Sequence, residues 1–170
     1  LYLARGIGLT LPIVWNSNGY ESLEVIEHLD GLVDIYLPDL KYSRDEDAKR
    51  LSAAPDYWAI ATRVIREMQR QVGPLRIDDE GMGLGGLIVR HLVLPEDASG
   101  TYEVLKFLAT ELPKKPAISL MAQYFPAHKA PEMEGLNRAI TPQEYRRALD
   151  WLEEFDFEDG YTQEDDFRFA

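Results

Sequence analysis

A chain of 170 residues with 45% hydrophobic and 11% aromatic content is long and apolar enough to bury one core of ordinary size, which argues against a disordered chain. With 18 Lys and Arg against 30 Asp and Glu, the net charge is −12; no dense basic run offers a face to a phosphate backbone, so nucleic acid is excluded as a partner. The absence of Cys removes disulfides, thiolate nucleophiles and thiolate ligands for zinc or an iron–sulfur cluster, and fits a reducing cytoplasm.

The first residues, Leu1-Tyr-Leu-Ala-Arg-Gly-Ile-Gly-Leu9, carry no charged leader and no cleavage site, and no apolar stretch approaches the roughly 18 residues of a membrane span, so neither export nor membrane insertion is expected. The chain begins without Met and in mid-pattern, which points to an N-terminal truncation. A first strand is expected over Leu11-Pro-Ile-Val-Trp-Asn16, followed by Ser17-Asn-Gly19. Ser22 suits the cap of a short helix carrying Leu23, Val25, Ile26 and Leu29, with Gly31 as its stop. A second strand follows over Val33-Asp-Ile-Tyr-Leu-Pro-Asp39-Leu-Lys41.

Ser43 and Glu46 have capping-box spacing for a helix to about Leu51. Asp56 opens a longer one with Tyr57, Ile60, Ala61, Val64 and Met68 on one face, ended by Gly73 and Pro74. Segment 75–86 mixes acids with glycines before a strand. A phosphate-cradling loop needs its glycines between a strand and a helix, so this segment reads as a surface loop. The third strand is Gly86-Leu-Ile-Val-Arg90-His-Leu-Val-Leu-Pro95. Ser99 or Thr101 then starts a helix with Val104, Leu105, Leu108 and Leu112, stopped by Pro113. A fourth strand spans Ala117-Ile-Ser-Leu-Met-Ala-Gln-Tyr124 and leads into the loop Phe125–Pro131. Thr141, Pro142 and Glu144 form the clearest helix start in the chain, and Tyr145, Ala148, Leu149 and Leu152 supply the buried stripe. Residues 1–156 form the folded part, and 157–170 read as an acidic tail, solvated or loosely docked.

Strands alternating with helices define an α/β fold with a mostly parallel sheet and helices on the outer face. Because each strand ends in polar, reactive groups, an arc of a (β/α) barrel is preferred over a doubly wound sheet. Four strands do not close a barrel, so a sheet edge stays bare unless other sequence or another chain covers it. Asp39 and Lys41, two apart on a strand, point to the same face. They are a structural ion pair or a binding pair, and Lys41 could form a Schiff base in an aldolase-like lyase or bind a carboxylate. Arg90 lies mid-strand, where a guanidinium needs an anion or hydroxyl acceptors, from a ligand or from the protein. His91 points the other way and reads as a satisfied packing histidine. His28 suits the end of its helix, and His128 either reaches a site from its Pro-flanked loop or lies on the surface. Three scattered histidines make no metal site.

In this order and spacing, Asn16-Ser-Asn-Gly19, Leu37-Pro-Asp39-Leu-Lys41 and Leu87-Ile-Val-Arg90-His-Leu-Val-Leu-Pro95 resemble the C-terminal part of the pyruvate formate-lyase activating-enzyme-like group of radical S-adenosylmethionine proteins. Ser52-Ala-Ala-Pro-Asp-Tyr57 and Leu120-Met-Ala-Gln-Tyr-Phe-Pro-Ala-His-Lys-Ala130 resemble an uncharacterised iron–sulfur branch of that group. The resemblance implies a partial (β/α) barrel of which this chain is the C-terminal arc. It also implies a 4Fe–4S cluster, held by a Cys-x3-Cys-x2-Cys loop, that cleaves S-adenosylmethionine to a 5′-deoxyadenosyl radical. The cluster loop and the glycine-rich motif expected after the second strand are absent from this sequence, so the fragment alone is expected to be inert.

The same resemblance implies that Asp39, Lys41 and Arg90 bind S-adenosylmethionine and that Tyr124 stacks near the adenine. It implies a monovalent cation near Ser17 and Asp39, although the family's Asp-Thr-Asn-Gly is here Asn16-Ser-Asn-Gly19, which keeps the hydroxyl and loses a charge. The partner it implies is a protein substrate like a glycyl-radical enzyme. Two readings outside the radical class remain open. One is the Lys41 Schiff-base lyase; the other is an interaction module whose open sheet edge pairs with another chain, a second copy included.

Overall fold

The computed structural model describes residues 1–163. Six strands form one open sheet: β1 (Val14–Ser17), β2 (Ile35–Pro38), β3 (Arg76–Ile77), β4 (Gly83–Leu92), β5 (Ala117–Met121) and β6 (Gly160–Tyr161). Their order is β1-β2-β4-β5-β6, all parallel, with β3 antiparallel on the start of β4. The helices are α1 (Tyr2–Gly6), α2 (Leu23–His28), α3 (Asp45–Ser52), α4 (Tyr57–Val72), α5 (Thr101–Thr110) and α6 (Pro142–Glu154). Helices in each crossover keep the successive strands parallel, as the alternating sequence pattern requires. The sheet is not closed into a barrel, as expected of an arc. No helix among the described residues is long and apolar enough to cross a membrane.

Side-chain alternation divides the sheet into two unlike faces. One carries Tyr36, Leu40, Leu87, Val89, His91, Ile118 and Leu120, all fully buried in the core. Against it pack Ala61, Val64, Ile65 and Met68 of α4 and Val104, Leu105 and Leu108 of α5, each at most 1% exposed. The other face carries Asn16, Leu37, Asp39, Ile88, Arg90, Leu92, Ser119 and Met121, none of them fully buried although Leu92 packs against the core, together with buried Ile35 and Ala117 at the starts of their strands. The register sets Asn16 beside Leu37, Asp39 beside Arg90, Arg90 beside Ser119 and Leu92 beside Met121.

Several local expectations are corrected. Ser22 precedes α2 but makes no side-chain cap, and α3 begins after Arg44, not Ser43, again without a side-chain cap. The Ser43 hydroxyl is buried without a hydrogen-bond partner among the described residues. Segment 75–86 is not a plain loop: Arg76 and Ile77 pair with Gly85 and Gly83 around a turn in which Asp78 accepts the amides of Glu80 and Met82. Glycine permits this hairpin, because Gly86 has φ +123° and a Cβ there would lie 2.3 Å from the Pro74 carbonyl oxygen. Of the tail read as solvated or loosely docked, the described part is docked, within one of those alternatives: β6 pairs with β5, and Gln163 accepts the Ala122 amide at 2.7 Å. Residues 164–170 of that tail lie outside the described residues.

Candidate functional site

β2 and β4 end side by side, so their last polar residues meet on the face free of helices. Arg90 donates from Nε to Asp39 Oδ1 at 2.8 Å and from Nη2 to Asn16 Oδ1 at 2.8 Å. Lys41 Nζ lies 2.8 Å from Asp39 Oδ2. Both oxygens of Asp39 therefore face a cation, and two cations against one carboxylate leave the group net positive within an acidic protein. The Asp39 side chain is 15% exposed, that of Arg90 28% and that of Lys41 41%, a gradient from a held carboxylate to an accessible ammonium. Asp39, Lys41 and Arg90 are thus brought together as the sequence reading required. Asn16 is a neutral acceptor beside Asp39 for the Arg90 guanidinium. The Lys41 amine is paired with Asp39 as an accessible ammonium, and this arrangement lends no support to a Schiff-base role.

The backbone under this cluster is fixed from three sides. The Asp39 amide donates to the Ser17 carbonyl at 2.9 Å and the Leu40 amide to the Arg90 carbonyl at 2.9 Å. The Lys41 amide donates to the Tyr57 hydroxyl at 2.8 Å, and that hydroxyl faces the Asp39 carbonyl at 3.2 Å. Burial, with the Asp39 charge adding, pushes the Tyr57 phenol above its ordinary range, so it stays a neutral donor and acceptor. Gly19, with φ +75°, crosses so close to β2 that a Cβ would lie 2.1 Å from the Asp39 carbonyl oxygen. The last position of Asn16-Ser-Asn-Gly19 is a steric requirement of the site. Ser17, proposed from the resemblance as a cation ligand, accepts the Gly19 amide at 3.2 Å through its hydroxyl.

His91 lies on the opposite face and is fully buried, as read from the sequence. Its Nδ1 is 2.6 Å from the Leu40 carbonyl, which can only accept, so Nδ1 carries the proton and Nε2 accepts from the Thr101 hydroxyl at 3.0 Å. Burial depresses its pKa to about 4. His28 is exposed at the end of α2, with Nδ1 donating to the Glu24 carbonyl at 2.6 Å. Among the described residues no three His, Cys, Asp or Glu side chains gather as a metal site would need.

Beyond Lys41 the surface opens into a concavity of about 600 Å³ between the segment after β2 and the segment after β5. Tyr124 lines it. The Tyr124 hydroxyl donates to the Leu136 carbonyl at 2.8 Å, which fixes the ring in place. His128 lines the same concavity, so the sequence alternatives of site and surface meet in one position. Sequence reasoning missed Leu92, Met133 and Leu136 on its apolar wall and Lys49, Arg50 and Lys129 around it. Leu92 was within reach, since it shares the strand parity of Arg90; the others depend on how two loops fold over the strand ends.

No family model matches the sequence. The chain is 34% identical over 149 residues to the uncharacterized protein MJ0674 of Methanocaldococcus jannaschii, a match covering 87% of this chain and 40% of that protein. It therefore spans well under half the length of the curated relative it matches. Among solved structures, the fold is similar to a domain of pyruvate-formate lyase-activating enzyme from Bacteroides vulgatus, with a TM-score of 0.65 and 16% identity over 95% of this chain and 88% of that one. At that identity the likeness is one of fold: an open, mostly parallel α/β sheet of the activating-enzyme kind.

Proposed function

We propose that this chain supplies the S-adenosylmethionine-binding strands of a radical protein similar to the pyruvate formate-lyase activating enzymes. The observation that carries the reading is the convergence of Asp39, Lys41 and Arg90 at the C-terminal ends of adjacent parallel strands, where open α/β sheets and barrels bind their ligands. The donor set fits a zwitterionic nucleoside. The Lys41 ammonium is accessible to a carboxylate, Asp39 is an acceptor for an amino or hydroxyl group, and Arg90 Nη1 makes no hydrogen bond among the described residues. Tyr124 would offer its ring to the adenine. The same reading places a monovalent cation at Ser17 and Asp39, in exchange for one of the cations that Asp39 now meets.

S-adenosylmethionine, when bound beside a reduced cluster, supplies a 5′-deoxyadenosyl radical; these residues bind and orient it. They do not fit the cluster itself, since the sequence has no cysteine. In this proposal the cluster ligands belong to sequence outside this chain, and the chain alone is inert. Arg90→Ala and Asp39→Ala, placed in the longer protein, should each lower S-adenosylmethionine cleavage about 10- to 100-fold, the loss of one charge-assisted hydrogen bond. The cluster absorbance should not change. Wild-type cleavage in both variants overturns the assignment.

A further inference from the structure

The concavity beside Lys41 has a charge opposite to that of the protein. Lys41, Lys49, Arg50 and Lys129 line it and, among the described residues, no Asp or Glu does, in a chain of net charge −12. Two of these cations are offset by neighbours: Lys41 by Asp39, and Arg50 by Asp47, which also binds Arg44. Lys49 and Lys129 have no ion pair among the described residues, and both are exposed at the rim. Cations at the end of α3 also suit its dipole, but Lys129 belongs to no such helix end and faces the same opening from the other segment. Two smaller concavities, of about 310 and 140 Å³, carry both signs: Lys114 and Lys115 with Asp156, Glu158 and Asp159 in one, Arg44 and Arg50 with Asp47, Glu96 and Glu134 in the other.

The floor is apolar. Leu92 and Leu94 come from the end of the sheet, Met133 and Leu136 from the segment after β5, and the Tyr124 hydroxyl is tied to the Leu136 carbonyl, so the ring presents its carbon face. A volume of about 600 Å³ is that of a small-molecule site. We propose that this concavity is a second binding site, for a small organic oxyanion, a carboxylate or phosphate on an apolar ring-sized body, whose anionic group meets Lys49 and Lys129 while the body rests on Leu92, Tyr124 and Met133. The site meets the Asp39 cluster through Lys41 and shares Tyr124 with the adenine contact of the proposed function, so S-adenosylmethionine would compete for that ring while the Lys49 and Lys129 contacts do not depend on it.

The test is a titration of the labelled 170-residue chain, followed by amide chemical shifts, with 1-naphthyl phosphate, 1-naphthoate, inorganic phosphate and the cation 1-naphthylmethylammonium. Both naphthyl anions should shift amides in 41–53 and 127–136, with affinity at least about tenfold above that of the cation and of inorganic phosphate. The stronger of the two names the anionic group. Lys49→Glu with Lys129→Glu should weaken the anions at least about tenfold. Lys114→Glu with Lys115→Glu, an equal change in net charge placed before β5, should leave them within about twofold. Arg90→Ala should also leave them within about twofold, which separates this site from the cofactor reading. Equal binding of anion and cation, shifts elsewhere in the chain, or equal effects of the two double variants would overturn the proposal.

Discussion

At the scale of single residues, the site is held by groups that never face it. Leu94 donates its amide to Ser99 at 3.3 Å, Ser99 lies 3.2 Å from Thr101, Thr101 donates to His91 and His91 donates to the carbonyl of Leu40, the residue between Asp39 and Lys41. With His91 neutral the chain runs from Ser99 to Thr101 to His91 Nε2; a protonated ring would donate at Nε2 instead, and Thr101 would have to turn its hydroxyl toward Ser99. Burial lowers the His91 pKa to about 4, outweighing the Leu40 carbonyl and the carboxylates of Asp97 and Asp39, which pull it up. Unfolded, the ring titrates near about 6.5. Above that value it is neutral in both states; below it only the unfolded chain takes the proton, so its stabilising share falls as pH drops from about 6.5 toward about 4. That share is on the order of 3 kcal/mol. Urea unfolding at stepped pH should show the decline beginning above the carboxylate range, and His91→Gln should flatten it. Gly19 is the second such residue. Gly19→Ala places a methyl group against the Asp39 carbonyl at positive φ, and should lower stability by about 1–3 kcal/mol and broaden the Asp39 and Leu40 amide resonances.

Among the elements, α6 shows how far a local signal carries. Thr141 accepts the Glu144 amide and Glu144 reaches back to the Thr141 amide at 2.7 Å, the reciprocal box that the spacing announced. Arg138, then the amides of Glu96 and Thr141, hold the Glu144 carboxyl down at about 2. Its contribution is therefore present above the ordinary carboxylate range and lost as pH falls toward about 2. Thr141→Ala should cost about 1 kcal/mol in chemical denaturation. Ser22 and Ser43 carry the same kind of signal without a side-chain cap: Ser22 occupies the N-cap position of α2 but its hydroxyl makes no cap hydrogen bond, and Ser43 falls one residue before the N-cap position of α3, which Arg44 takes. The hairpin of β3 and β4 was hidden for a related reason. A glycine-rich acidic run has no apolar period to read, yet its small residues are what let Pro74 and Leu75 lie against Gly86. Gly86→Ala should destabilise the fold by about 2 kcal/mol or more, seen as a lowered urea midpoint with an unchanged slope.

For the whole molecule, the governing feature is a sheet that, among the described residues, helices bury on one face only. β4 lies between β2 and β5 and is its longest strand, whereas β1 and β6 are short and lie at the two edges. Native-state hydrogen exchange should therefore protect the amides of 87–92 at least about a hundredfold more than those of 14–17 and 160–161. The helix-free face leaves Asp39, Lys41 and Arg90 within reach of a ligand, and the loops beyond the strand ends build the cationic concavity next to them.

Periodicity alone determined the alternation of strands and helices, and hence the parallel α/β class. Spacing alone put Asp39 and Lys41 on one face and Arg90 and His91 on opposite ones. Those are short-range properties, set by side-chain alternation along a strand and by the helical repeat. That Arg90 lies beside Asp39 and not one residue away, that Asn16 becomes its second acceptor, that Gly19 must pass over β2 and that Lys49 and Lys129 face one opening were decided by tertiary structure. Each depends on the register between segments far apart in the chain, and register comes from the packing of the buried face as a whole.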